Sequence, residues 1–277
     1  MTVATAPAGR ALRVTNPQLQ DLDPALRDAY GRLLVAMADS ELVLGHRHSE
    51  WTGFAPAAEE DVAFSSIAQD EMGHAHLYYA LVTGASDEGA VDSLALDRGP
   101  RSMRHLPLLH APNGDWFFTI ARQFYWEVWE TVVLDAALGS ALPLLASAAQ
   151  RILNEEVYHE EHAMQWLTLL SSREPQRRRL QAALRRATAI GGDPARRLDG
   201  LAEVGAAGKL PPEDDLATRF TTALRERLAT GGGWNSPDIT SALDGLAGRG
   251  PWATPPGLLQ LHRDLTGMRR AHPGATW

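Results

Sequence analysis

The chain has 277 residues, 44% hydrophobic and 22% charged, with a formal net charge of -8 and no cysteine. So large an apolar fraction supports a sizeable core and excludes a wholly disordered chain. Without cysteine, disulfide scaffolds, thiol catalysis and thiolate-held zinc or iron–sulfur clusters are excluded, and any metal must sit on His, Asp or Glu.

The 34 acidic residues outnumber the 26 basic ones, which argues against a dedicated nucleic-acid surface. The local cluster Arg177, Arg178, Arg179, Arg185 and Arg186 reads as a solvated helix face. The first twenty residues lack the apolar core of a signal peptide, and no apolar run approaches the roughly 18 residues of a membrane span. The expectation is a cytoplasmic chain with neither a membrane nor a nucleic acid as partner.

In chain order, residues 1–20 mix Ala, Thr, Pro and Gly without periodicity and read as a flexible arm. The first helix is expected to begin at Asp23-Pro24, an acceptor side chain followed by the residue favoured at the first helical position. Tyr30, Leu34, Met37, Leu44 and His48 then mark one face. After a break at Gly53 to Pro56, Glu59, Glu60 and Asp61 favour the first turn of a second helix, where the dipole suits acids. Phe64, Ile67, Tyr78 and Leu81 form its inner stripe, and it stops before Gly84.

Residues 85–114 read as a long connection with an apolar patch at Leu106, Leu108 and Leu109. A third helix is expected from Trp116 to Leu138, capped by Asp115 and closed by Gly139, with Ile120, Phe124, Leu134 and Leu138 on its stripe. Pro143 opens a fourth that carries Leu145, Ile152, Ala163 and Leu170 to about Ser171. Shorter helices follow at Gln176 to Ile190, Asp214 to Ala229 and Pro256 to Arg270, separated by Gly and Pro clusters. Two helices, a long crossover and two more helices make an all-α, ferritin-like four-helix bundle. The expected division is a bundle over 21–171 and a helical extension over 172–277, within one domain.

Of the ten histidines, two have a glutamate three residues earlier: Glu71 with His74, and Glu156 with His159. Composition alone would supply about 0.6 such pairs, so the placement matters more than the count. Residues three apart project from one side of a helix. Both pairs lie in otherwise apolar stripes, where an ionised carboxylate is costly unless paired or bound to metal.

Upstream, Glu41 lies 30 residues before Glu71, and Glu127 lies 29 before Glu156. Each sits on the inner stripe of the preceding helix. Folded as a bundle, the two halves bring four carboxylates and two imidazoles to one point, the ligand set of di-iron or di-manganese carboxylate proteins. Hard oxygen donors with two nitrogens suit iron or manganese, so the expected cofactor is two Fe, with Mn/Fe or two Mn as alternatives. Asp70, Glu130, Glu155, Glu160 and His162 lie off these stripes or at their edges. They are expected at the surface or just outside the ligands, where carboxylates orient metal-bound imidazoles. Trp126, Trp129, Trp166, Tyr78, Tyr79, Tyr125 and Tyr158 surround the centre in sequence, as core or as pocket wall.

The stretch from Leu42 to Pro56, the acidic start Glu59-Glu60-Asp61, Pro112-Asn113-Gly114, Ile120 to Tyr125 and the close His272 to Trp277 resemble the C-type subunits of multicomponent phenylacetyl-CoA epoxidases. The resemblance runs from about Tyr30 to Trp277. It implies a ferritin-like subunit of a complex that epoxidises the ring of phenylacetyl-CoA in aerobic phenylacetate breakdown, with O2 as co-substrate and electrons from a separate reductase. It also implies an A-type catalytic subunit and further members of the complex as partners, with a homodimer as the alternative association.

C-type subunits commonly lack most metal ligands. Here all six positions matching the A-type scheme are filled: Glu41, Glu71, His74, Glu127, Glu156 and His159. Three readings follow: a C-type subunit with a complete metal site and an acyl-CoA substrate if active, a scaffold with an idle site, and an independent di-iron or di-manganese oxidase acting on another substrate. Arg98, Arg101 and Arg104, the basic residues near the crossover, serve equally well as surface ion-pair partners, and no residue is assigned to CoA.

Overall fold

The computed structural model describes residues 12–84, 88–140, 142–231, 234–243, 246, 256–273 and 275, and these residues are all-α with no strand among them. Residues 1–11 of the expected arm, together with Trp277 of the resembling close, lie outside the described residues.

Residues 12–20 differ from a free arm. The backbone N–H groups of Thr15 and Asn16 donate to the Val82 carbonyl, at 2.9 and 3.1 Å, and Asn16 Nδ2 donates to Leu81 O. A short helix, α1 (Pro17–Gln20), buries Leu19. Local composition carried no trace of this docking because every partner is more than 60 residues away.

Helix α2 (Pro24–Ser49) starts where expected, with Asp23 Oδ1 accepting from the N–H groups of Ala25 and Leu26. Helix α3 (Ala58–Thr83) has no side-chain cap at Ala57. Asp61 instead reaches back and accepts from the backbone N–H groups of Gly53 and Ala55, each at 3.0 Å, which fixes the turn between α2 and α3. The connection after α3 is more structured than expected. It contains α4 (Glu88–Leu96) and a 3-10 turn at Pro100–Ser102, and Leu106, Leu108 and Leu109 are all buried.

Helices α5 (Trp116–Leu138) and α6 (Pro143–Ser171) match their expected bounds. Asp115 caps α5 by accepting from Phe118 N–H at 3.0 Å. Helix α2 packs on α3, α5 on α6, and α3 on α6, closing the bundle around one core.

The C-terminal part supplies α7 (Glu174–Gly191), α8 (Leu201–Ala206), α9 (Glu213–Thr230), α10 (Ser236–Leu243) and α11 (Leu258–Ala271). Of these, α7 and α9 cover α5. Phe220 of α9 meets the rings of Tyr125 and Trp129 edge-on, at 5.2 and 5.8 Å. As a result α5 is buried on nearly every side, beyond a single stripe, although Leu138 at its end is 40% exposed, contrary to expectation.

The arginine cluster is engaged within the chain. Arg178 pairs with Glu174 and Arg179 with Asp115, Arg179 and Arg186 stack over Phe117 and Phe118, and Arg185 donates to Ser241.

Candidate metal centre

The packing of α2, α3, α5 and α6 places the expected acids and imidazoles in the bundle interior. Glu41, Glu71, Glu127, Glu156, His74 and His159 are all at most 2% exposed. Gly45, one turn after Glu41, allows the approach of α2 to α3. A Cβ there would stand 3.0 Å from Ala68 O and 3.1 Å from Glu71 Cβ.

Donor atoms of Glu41, Glu71 and His74 lie within 4.8 Å of one another, as do those of Glu71, Glu156 and His159. Glu71 thus belongs to both groups. His159 Nδ1 is 3.1 Å from Glu156 and 4.0 Å from Glu71. His74 Nδ1 is 3.4 Å from Glu156 and 3.9 Å from Glu71.

The far side of each imidazole is held by a carboxylate from the opposite helix. His74 Nε2 lies 2.8 Å from Glu155, and His159 Nε2 lies 3.3 Å from Asp70. Each of these acids immediately precedes the other helix's Glu-x-x-His pair. In the neutral ring that a metal takes as ligand, an Nε2–H donating outward would turn each Nδ1 lone pair to the centre. The expectation that Asp70 and Glu155 orient imidazoles is therefore met in geometry. Glu160 instead accepts from Arg227 at 2.7 Å, and His162 pairs with Glu60.

Glu130 departs from its expected place at the surface or the edge. It is fully buried, and its carboxylate forms a third group with His74 and Glu156, again within 4.8 Å. Glu127 lies in none of these three-residue groups and faces Glu156. Glu127 and Glu130 are three apart and share a face of α5, so the repeat spacing singled out one of two neighbours that the fold brings inward together.

Both oxygens of Glu41, Glu71, Glu127, Glu130 and Glu156 are buried without a hydrogen-bond partner among the described residues, and so are the Nδ1 atoms of His74 and His159. Burial drives Glu41, Glu127 and Glu130 well above the usual carboxylate range, and their mutual repulsion drives them further. Glu71 is also raised, chiefly by burial. Burial works to raise Glu156 too, but its neighbours Glu127 and His159 and the charge of the imidazoles bring it down to about 2. His159 is pushed up to about 10: burial opposes its charge, and Glu156, Glu71 and Asp70 overcome it.

Without metal, then, burial keeps most of these carboxyls protonated. A dinuclear metal fits this donor set better, because cations would satisfy every inward oxygen and both Nδ1 atoms at once.

Two further groups border the centre. His48, on the α2 stripe, is fully buried, neither ring nitrogen has a hydrogen-bond partner among the described residues, and its Nδ1 is 4.0 Å from Glu71. The Tyr78 hydroxyl is buried without a hydrogen-bond partner among the described residues, and is held well above its ordinary pKa by burial and by Glu130 and Glu41. Among the aromatics, Trp126, Trp129, Tyr79 and Tyr125 are core, whereas Tyr158 points to solvent, 71% exposed. Trp166 packs edge-on against Trp116.

Comparison with known proteins gives two matches. The family model described as "Phenylacetic acid catabolic protein" covers residues 15–277. The chain is also 33% identical over 136 residues to the C subunit of 1,2-phenylacetyl-CoA epoxidase from Escherichia coli (strain K12), an alignment covering 49% of this chain and 55% of that protein. The chain therefore spans about half the length of this curated relative. Among the described residues no helix is long and apolar enough to cross a membrane.

Proposed function

The chain belongs to the phenylacetic acid catabolic protein family, and from that membership we propose that it is a C-type subunit of a multicomponent phenylacetyl-CoA epoxidase with a dinuclear metal centre of its own. The observation that carries the second half of this reading is the set of inward carboxylate and imidazole atoms without partners. A scaffold with an idle site has no use for so costly a cluster.

Glu41, Glu71 and His74 would hold one metal, and Glu127, Glu156 and His159 the other, with Glu71 and Glu156 between them. Two iron ions, when bound, supply the redox chemistry that activates O2. The chain's own contribution is positional. Asp70 and Glu155 fix the imidazole rings, the apolar walls from α2, α3, α5 and α6 exclude water, and the buried carboxyls that hold protons would exchange them for metal. The chain has no cysteine for a cluster of its own, so electrons arrive from a reductase. An A-type catalytic subunit and the acyl-CoA it handles complete the proposed assembly.

The test is oxygen consumption by the chain alone and with an A-type subunit, in the presence of phenylacetyl-CoA and a reductase. Turnover is expected to need both subunits and to fall when Glu71→Ala and Glu156→Ala are combined in this chain. Turnover indifferent to that double variant would make the chain a scaffold. Turnover by the isolated chain would make it an independent oxidase.

A further inference from the structure

Resting on the dinuclear reading, we propose that Glu130 is an additional metal ligand, so that α5 supplies one carboxylate to each metal position and the two positions are unequal. Three observations on this side chain lead there. Glu130 is completely buried on a helix covered on its other faces by α7 and α9. Neither of its oxygens has a hydrogen-bond partner among the described residues. Its carboxylate meets His74 and Glu156 within 4.8 Å, in a donor group that Glu127 does not enter.

The neighbours of the two α5 carboxylates divide them. Glu130 shares a donor group with His74 and Glu156 and also has Glu41 beside it, whereas Glu127 enters no such group and has Glu156 as its first neighbour. The position served by Glu41 and His74 therefore gains Glu130, and the position served by His159 retains Glu127. Glu71 and Glu156 stand between the two. The first position holds two unshared carboxylates and one imidazole. The second holds one of each, with the neutral ring of His48 nearby. A position with one more negative oxygen donor binds a hard divalent cation more tightly and favours manganese or a more highly charged ion.

A purely structural Glu130 would be an odd choice. A carboxyl confined among other carboxyls destabilises the metal-free fold, and an uncharged side chain of similar volume would relieve that.

The experiment is an anaerobic titration of the metal-free protein with Mn(II), with unbound Mn(II) followed by its electron paramagnetic resonance. Wild type is expected to bind two ions per chain with distinct affinities. Glu130→Gln should weaken the tighter event about tenfold or more and leave the weaker one in place, because even outer partners of a ligand shift affinity by that much. Glu127→Gln should weaken the other event. Thermal unfolding of the metal-free protein provides a second readout, in which Glu130→Gln and the apolar Glu130→Met should melt higher than wild type.

A folded Glu130→Gln protein with the wild-type isotherm would overturn the ligand role while leaving the dinuclear reading intact. Wild type that binds no Mn(II) would overturn both. Failure of both Glu130 variants to fold would assign the residue a structural role and likewise overturn the proposal.

Discussion

Four of the five carboxyl groups enclosed in one bundle make the metal-free protein hold protons that its unfolded chain releases. Glu41, Glu127 and Glu130 lie well above the ordinary carboxylate pKa and Glu71 is raised, all chiefly through burial, and His159 is lifted to about 10. Above the unfolded values of these groups the native state binds more protons, so stability falls as pH rises through their folded values. His48 and His105 act in the opposite direction, because burial keeps them neutral; their contribution is complete once pH exceeds the unfolded histidine value. Glu156, at about 2, contributes stability that is lost only in strong acid.

Between about pH 7 and pH 9 the metal-free protein should therefore lose thermal stability, and bound Mn(II) or Fe(II) should remove that loss by taking the protons' place. Melting curves across this range check it, and a metal-free midpoint that climbs with pH would contradict it. At this scale the sequence was informative wherever an acid sat in an apolar stripe: Glu41, Glu71 and Glu156 were readable on that ground. It failed for Glu130 because two acids three positions apart on one helix face give a single periodic signal. The roles of Asp70 and Glu155 were readable as a class from their places beside the ligands, though their pairing across helices needed the fold.

The helices themselves were legible where capping chemistry is local. Asp23-Pro24, Asp115 and Gly139 mark real boundaries because each acts on backbone groups within a few residues. The crossover was not legible, since its order comes from a remote anchor. Asp39, buried on α2, accepts from Arg98 Nη1 at 3.0 Å, the Arg104 backbone N–H at 2.7 Å and the Tyr79 hydroxyl at 2.5 Å, and also pairs with Arg98 Nη2. One side chain thus ties α2 to α3 and to both sides of the 3-10 turn. Asp39→Ala would leave the Arg98 guanidinium its hydrogen bonds to the Leu94 and Ser102 carbonyls but no carboxylate, and the cost of breaking a largely buried pair is about 3 kcal/mol. Denaturant unfolding should register that loss with the metal site still able to fill; a change below about 1 kcal/mol would mean the crossover is held chiefly by the burial of its three leucines.

Across the whole molecule, the repeat of a lone Glu followed by Glu-x-x-His in two helix pairs was sufficient to read a bundle with a shared interior. The C-terminal third was read as helices but not as a covering layer, because which face they bury is decided by contacts with α5 that no local pattern encodes. That layer makes α5 buried all round and encloses the second α5 carboxylate along with the first. The family match spans nearly the whole chain, so the fold and its lineage agree, and the distinguishing claim is that this protein's centre is built to hold metal. The most direct measurement is the iron and manganese content of the purified wild-type chain beside the combined Glu71→Ala and Glu156→Ala variant. The wild-type chain should hold about two metal ions and the variant almost none, with both proteins equally helical. A wild-type chain that remains metal-free after anaerobic incubation with both ions would contradict that claim.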